Sequence, residues 1–190
     1  MRLVRPENSK EWIKMKKLNY CWRCGNKLVK KMEEERERYF CEACDKFVYR
    51  NSVPVGGVFV IRGDEVLLIK RGGEPNKGKW SYPAGYLEYN EKPEEGASRE
   101  LEEETGLKAD PEELELVATI QLEHPDKYVV GNAYAISFDK VKGEVKASDD
   151  AEEARFWTPK EMEASLKEME SMKIVEAAEK AIDLIREQAP

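Results

Sequence analysis

The sequence predicts an α+β chain in two parts: a small zinc ribbon over residues 18–50 and an α/β/α layered domain over residues 53–190, with residues 1–17 as an N-terminal extension. Three observations predict it. All four cysteines precede residue 45, in two C-x2-C pairs. Behind them, β-branched runs alternate with segments of helical spacing. The chain has 190 residues and is 41% hydrophobic, enough to bury the core of one ordinary domain beside a small one.

Composition excludes several classes. The net charge of −7 disfavours a general nucleic-acid-binding surface. The longest apolar stretch, Val53 to Ile61, has nine residues including two glycines, too short to span a bilayer. Met1 to Lys17 alternates charge with isolated apolar residues, unlike a signal peptide, so a cytoplasmic protein without membrane association is expected. Charged residues are 37% of the chain, mostly Glu and Lys, the ion-pair-rich bias of hyperthermophile proteins.

The first element is the cysteine set. Cys21, Cys24, Cys41 and Cys44 form C-x2-C, a sixteen-residue gap and C-x2-C. Two intervening residues let each thiolate pair bend round one ion, and two pairs complete a tetrahedral Zn²⁺ site. Gly25 follows the first pair, where the knuckle turns tightly, and Tyr39-Phe40 lead into the second pair as strand formers. Two disulfides are the competing reading, disfavoured because nothing marks the chain as secreted. A redox pair is disfavoured because no βαβ pattern surrounds either motif. Lys27, Lys30, Lys31, Arg36 and Arg38 supply positive charge, but Glu33, Glu34, Glu35 and Glu37 interrupt it. A structural ribbon closed by metal binding is therefore expected rather than a nucleic-acid reader.

Arg50 to Pro54 reads as the connection. VGGVFVIRGDEVLLIKR then predicts a hairpin turning at Arg62-Gly63-Asp64. The stretch GGEPNKGKWSYPAG predicts a loop anchored by Trp80 and Tyr82. Lys92 to Thr105 predicts a helix: Ala97, Leu101 and Thr105 recur on one side, Pro93 suits the first turn, and Gly106 suits the C′ position. Further strands are expected at 114–123, 128–138 and 153–157, followed by a helical region over 159–187 broken near Ser171.

Residues 85–107 hold eight carboxylates in twenty-three residues, with Arg99 among them. A solvated helix in a Glu-rich chain is one reading. The other is a cation site: Glu100, Glu103 and Glu104, spaced i, i+3, i+4, project three like charges from one helical turn. Mg²⁺ or Mn²⁺ relieves that repulsion, because hard cations take carboxylate oxygens and keep positions open for water and phosphate. Arg99 and Glu91 are read as orienting a carboxylate rather than touching substrate.

Gly85, Glu91, Arg99, Glu100, Leu101, Glu103, Glu104, Gly106 and Leu107 spell G-x5-E-x7-R-E-L-x-E-E-x-G-L. This resembles the Nudix box of the Nudix hydrolases at every fixed position, a match expected by chance on the order of once in 10⁵ to 10⁶ chains of this composition. The resemblance covers residues 53 to 160. It implies a Nudix-type α/β/α sandwich with a mixed sheet. It also implies Mg²⁺ or Mn²⁺ held by Glu100, Glu103, Glu104 and the main-chain carbonyl of Gly85. Two positions depart from the family. Lys92 replaces a small hydroxyl residue at the N-cap, and Gly96 stands where Ala is commoner, at about 1 kcal/mol each.

The acidic segment 146–157 resembles the turn and strand that supply a further carboxylate to Nudix sites, with Asp150 the first candidate and Glu153 the second. Glu100, Glu103, Glu104, Arg99 and Asp150 are thus the expected catalytic set, while substrate contacts remain unassigned. His124 is expected to be a surface or structural residue; Tyr86, Tyr89 and Tyr128 are candidates for stacking on a base or for packing.

A zinc ribbon ahead of a Nudix domain is similar to the arrangement in NADH pyrophosphatases and in related FAD or ADP-ribose hydrolases. The S-Q-P-W-P-F-P-x-S stretch of NADH pyrophosphatases is missing, and Pro125 lies just beyond the proline position of ADP-ribose hydrolases. The expected activity is metal-dependent hydrolysis of a nucleoside diphosphate linked to another moiety, giving a nucleoside monophosphate and a phosphorylated fragment. Alternatives are a non-catalytic nucleotide- or RNA-binding module, a nucleoside triphosphate-cleaning enzyme and a cap-removing enzyme. The expected partner is a small nucleotide, with nucleic acid disfavoured and a homodimer left open.

Overall fold

A computed structural model describes residues 18–74, 76–124 and 127–188, excluding the side chains of 122–124. The expectations for residues 1–17, Pro125 and the His124 side chain lie outside the described residues. The described residues fall into two compact units, one within Met1–Ser52 and Glu123–Tyr128, the other within Val53–Leu122 and Val129–Pro190. Among them, no helix is long and apolar enough to cross a membrane.

The first unit carries an antiparallel sheet of β1 (Val29–Glu33), β2 (Arg36–Cys41) and β3 (Lys46–Val48). Its register places Val29 and Phe47 on either side of Phe40. Cys21, Leu28, Cys41 and Val48 form its buried core.

In the second unit, β4 (Val53–Arg62) and β5 (Glu65–Arg71) form the expected hairpin. The following loop departs from expectation. It contains two short strands, β6 (Trp80–Ser81) on β5 and β7 (Ala84–Tyr86) on β4. Gly and Pro hide such segments from pattern reading, whereas Trp80 and Tyr82 are buried anchors as predicted. Helix α1 (Pro93–Thr105) comes next, then β8 (Glu115–His124), β9 (Lys127–Ser137) and β10 (Ala151–Trp157). The C-terminal helical region divides into α2 (Pro159–Ala164) and α3 (Met172–Gln188), with the break at 165–171.

The sheet runs β10-β5-β4-β9-β8; the β10–β5 and β5–β4 pairs are antiparallel and the β4–β9 pair parallel, so it is mixed. Period-two alternation sorts its side chains into two layers. Val58, Val60, Leu67, Tyr134 and Ile136 meet Ala97 and Leu101 of α1. Phe59, Ile61, Val66, Leu68 and Ala135 meet Met162 of α2 and the Ile174–Ile182 stripe of α3. This is the α/β/α sandwich.

One glycine sets how closely α1 approaches the sheet. A Cβ on Gly56 would stand 2.5 Å from the Pro93 carbonyl oxygen and 2.9 Å from the Ala97 nitrogen, both main-chain atoms. Gly56→Ala should therefore destabilise the protein by about 1–3 kcal/mol, the scale of overpacking. Denaturant unfolding measures it, and an unchanged midpoint would contradict this packing.

Candidate active site

Helix α1 is positioned at both ends. Gly106 closes it with φ 73°, in the left-handed region that favours glycine. At the start, Lys92 offers no side-chain acceptor to the helix amides. Glu95 compensates in part, its carboxylate accepting from the Lys92 N–H at 3.0 Å. Gly96 is also more than a weak helix former, since a Cβ there would meet the Leu87 side chain and stand 2.8 Å from Glu91 Oε2. Close packing of Glu91 thus accounts for a residue that propensity alone makes unfavourable.

The carboxylates occupy three different environments. Arg99 is the shared counter-ion: its Nη1 donates to Glu100 Oε1 and Glu103 Oε2, each at 2.8 Å. Its Nε and Nη2 donate to the two Glu91 oxygens at 2.9 and 3.0 Å, and Nη2 also reaches the Tyr86 carbonyl. The Arg99 hydrogen bonds hold the Glu91 carboxyl below the usual range. Glu100 lies against Gly85, where any Cβ would fall on its carboxylate. Burial raises the Glu100 carboxyl despite Arg99, and the charges of Glu103 and Asp150 add to the rise.

Glu104 differs from the expectation of three carboxylates projecting together. It is 2% exposed, and its Oε2 accepts from the Ala84 N–H at 2.9 Å. Burial, then the hydrogen bond and charge of Asp150, push its carboxyl up to about 9.

Asp150 is delivered by main-chain bonds. Lys146 N–H donates to Thr105 O at 2.9 Å and Ser148 N–H to Glu104 O at 3.1 Å, fastening the loop to the end of α1. The turn is completed by Asp149 in the left-handed region, φ 52°, and Gly72 N–H donates to Asp150 O at 2.7 Å. A register shift between Ala151 and Glu153 follows in β10. Glu153 is drawn elsewhere, to Lys70 at 2.7 Å. The structure thus brings Glu100, Glu104 and Asp150 together, holds Glu103 at their edge through Arg99, and leaves Glu153 out.

This crowding tests the fit of a cation. Carboxylates crowded around a buried one repel unless positive charge stands beside them, and Arg99 donates to Glu91, Glu100 and Glu103 rather than to Glu104 or Asp150. The donors are oxygens, the set that Mg²⁺ and Mn²⁺ take. An open cleft beside them is lined by Arg99, Glu102, Glu103, Ser148 and Asp149.

Among the described residues, the Sγ atoms of Cys21, Cys24, Cys41 and Cys44 all lie within 4.8 Å of one another, and Cys24 and Cys41 are 3.5 Å apart. A tetrahedron with metal–sulfur bonds of ~2.3 Å has sulfur–sulfur edges of ~3.8 Å, so the cluster has the size of a Zn²⁺ site. Its thiols are electrostatically split. The Asn26 side-chain amide draws Cys24 down to about 6, while Cys24 and Cys41 push Cys44 up to about 12.

The tyrosine candidates remain unassigned to substrate: Tyr89 is fully exposed, Tyr86 half-exposed and Tyr128 partly buried. Sequence reasoning missed two main-chain donors, Ala84 N–H and Gly72 N–H. The glycine pair after the β5 run was the only signal for the second.

The NUDIX domain family model matches residues 51–177. The ADP-ribose pyrophosphatase of Methanocaldococcus jannaschii is 34% identical over 137 residues, 71% of this chain and 73% of that protein. The NAD-capped RNA hydrolase NudC of Haemophilus influenzae is 35% identical over 95 residues, 49% of this chain and 35% of that one. In fold, the chain is similar to the crystal structure of a NUDIX hydrolase from Nitrosomonas europaea, with TM-score 0.71 and 24% identity over 91% of this chain and 95% of that one.

Proposed function

The chain belongs to the Nudix family and is a Nudix pyrophosphohydrolase, and from that premise we propose that it cleaves the diphosphate bridge of a nucleoside diphosphate linked to a second moiety, of the ADP-ribose type. The observation that carries the chemistry is the meeting of Glu104 and Asp150 beside Glu100. The substrate class rests on the similarity to the M. jannaschii ADP-ribose pyrophosphatase.

Glu100, Glu103, Glu104 and the Gly85 carbonyl would hold Mg²⁺ or Mn²⁺. Bound there, the ion supplies positive charge to the phosphate oxygens and lowers the pKa of a water. The chain's own groups do the rest. Arg99 orients Glu100 and Glu103, and the Ala84 N–H fixes Glu104. Asp150 takes the proton as the water oxygen bonds to phosphorus and the bridging P–O bond breaks. A nucleoside monophosphate and a second phosphorylated fragment leave. The four thiols would hold one structural Zn²⁺, and such reduced cysteines suit the cytoplasm.

A panel of ADP-ribose, NADH, FAD, diadenosine polyphosphates, 8-oxo-dGTP and NAD-capped RNA, with Mg²⁺ and with Mn²⁺, tests this reading. ADP-ribose or a similar dinucleotide should be cleaved best. Preference for 8-oxo-dGTP or capped RNA would reassign the substrate, and no hydrolysis at all would leave a binding module. On the best substrate, Asp150→Asn should lower turnover at least about tenfold, the lower range for a proton-transfer group. Its melting temperature should hardly move, because the Asp150 carbonyl bond to Gly72 remains. Full activity would remove Asp150 from the chemistry.

A further inference from the structure

We propose that the first unit carries a second binding site, for single-stranded nucleic acid, in the groove between its first cysteine knuckle and β3. It goes beyond the hydrolytic reading and does not depend on it. The groove is lined by Trp22, Arg23, Lys31, Lys46, Phe47 and Tyr49 beside the cysteines.

Three rings there lie outside the ribbon's core. Trp22 is 76% exposed, with the Arg23 guanidinium 4.8 Å from its ring centroid. Tyr49 is half-exposed, backed by Arg38 at 5.1 Å and fixed by its hydroxyl donating to Glu33 at 2.8 Å. Phe47 stands edge-on to Phe40, their centroids 5.0 Å apart. Burying large apolar rings stabilises a fold, so rings that a small domain leaves at its surface, two of them beside cations, are available to another π surface.

Charge gives the second argument. Arg23, Lys31 and Lys46 line the groove against Asp45 alone, on a chain of net charge −7. None of the acidic residues that interrupt the basic ones in sequence lines the groove, although Glu33 touches it through the Tyr49 hydroxyl. Glu33 pairs with Arg38 at 2.7 Å and Glu37 with Lys30 at 3.2 Å, while Glu34 and Glu35 occupy the left-handed β1–β2 turn. Lys46 has no ion pair among the described residues. Ring faces interleaved with cations along a groove match bases and phosphates alternating along one strand. A duplex hides its base faces and can satisfy only the charges.

The test is fluorescence anisotropy of the full, zinc-loaded chain with labelled oligo-U and oligo-dT of about twelve nucleotides, within the range of such sites, and with a duplex of equal length. A single strand of either sugar should bind, and the duplex at least about tenfold more weakly. Trp22→Ala should weaken binding about fivefold or more, as expected for one lost stacking contact. Lys46→Glu should weaken it and flatten its salt dependence. Both variants should hydrolyse the preferred nucleotide as the parent does. Absent single-strand binding, equal affinity for the duplex, indifference to both substitutions, or displacement by AMP at the oligonucleotide's own concentration would each overturn the proposal. Loss of hydrolysis in the parent would strike the enzymatic reading and leave this one standing.

Discussion

Replacing Glu104 by Gln should lower turnover by about 10²-fold or more, the scale lost when one preorganised electrostatic group is removed. The fold should survive, for a specific reason. Without a cation, burial and the neighbouring Asp150 favour the protonated form of the Glu104 carboxyl, which accepts from Ala84 N–H. A Gln amide likewise accepts through oxygen and donates through nitrogen. The metal-free variant should therefore melt no lower than the parent. What it loses is the negative charge that a divalent ion requires. The control is Glu102→Gln. Glu102 lines the open cleft but takes no bond from Arg99 or Ala84; it is exposed and pairs with Lys108 at 2.7 Å, an interaction of the ~0–1 kcal/mol class. Steady-state hydrolysis by both variants across a Mg²⁺ titration decides the matter. Equal activity would reduce the helix to a charged surface.

The second large effect lies in the first unit. Cys41→Ser should abolish stoichiometric zinc and unfold the ribbon, leaving the second unit's sheet and helices in place. Cys41 is fully buried, 3.5 Å from Cys24, at the end of β2. Structural Zn²⁺ contributes about 10–16 kcal/mol to small zinc-dependent folds, far more than the four-residue core of this unit could supply alone. The two cores of the second unit draw on no residue before Val58. The parent should carry about one zinc per chain, as a single four-thiolate site requires, and the variant almost none. A parent free of zinc with oxidised cysteines would contradict this, as would a variant that keeps its ion.

Where local chemistry dictates structure, the sequence was legible. The hairpin turning at Gly63, the burial of Ala97, Leu101 and Thr105, and the Gly106 cap all follow from periodicity and from glycine's access to positive φ. Long-range geometry was not legible. The parallel pairing of Val53 with Val129 joins segments far apart in the chain, and no local pattern encodes its register. The strands at Trp80–Ser81 and Ala84–Tyr86 are too short to show alternation. In the site, residue types and spacing pointed to the Glu cluster but not to its division of roles. Glu103 and Glu104 are neighbours in sequence, yet one is tied to Arg99 near solvent and the other is sealed under Ala84. Burial by a distant strand decides that difference.

The loop that carries Asp150 donates main-chain hydrogen bonds to the last carbonyls of α1, at Glu104 and Thr105. Helix and loop therefore share one frame of reference, with no hinge between their two carboxylates. Little reorganisation is left for the moment of reaction. A change in a loop that contacts substrate then need not disturb this pair, which separates the chemistry from the choice of substrate.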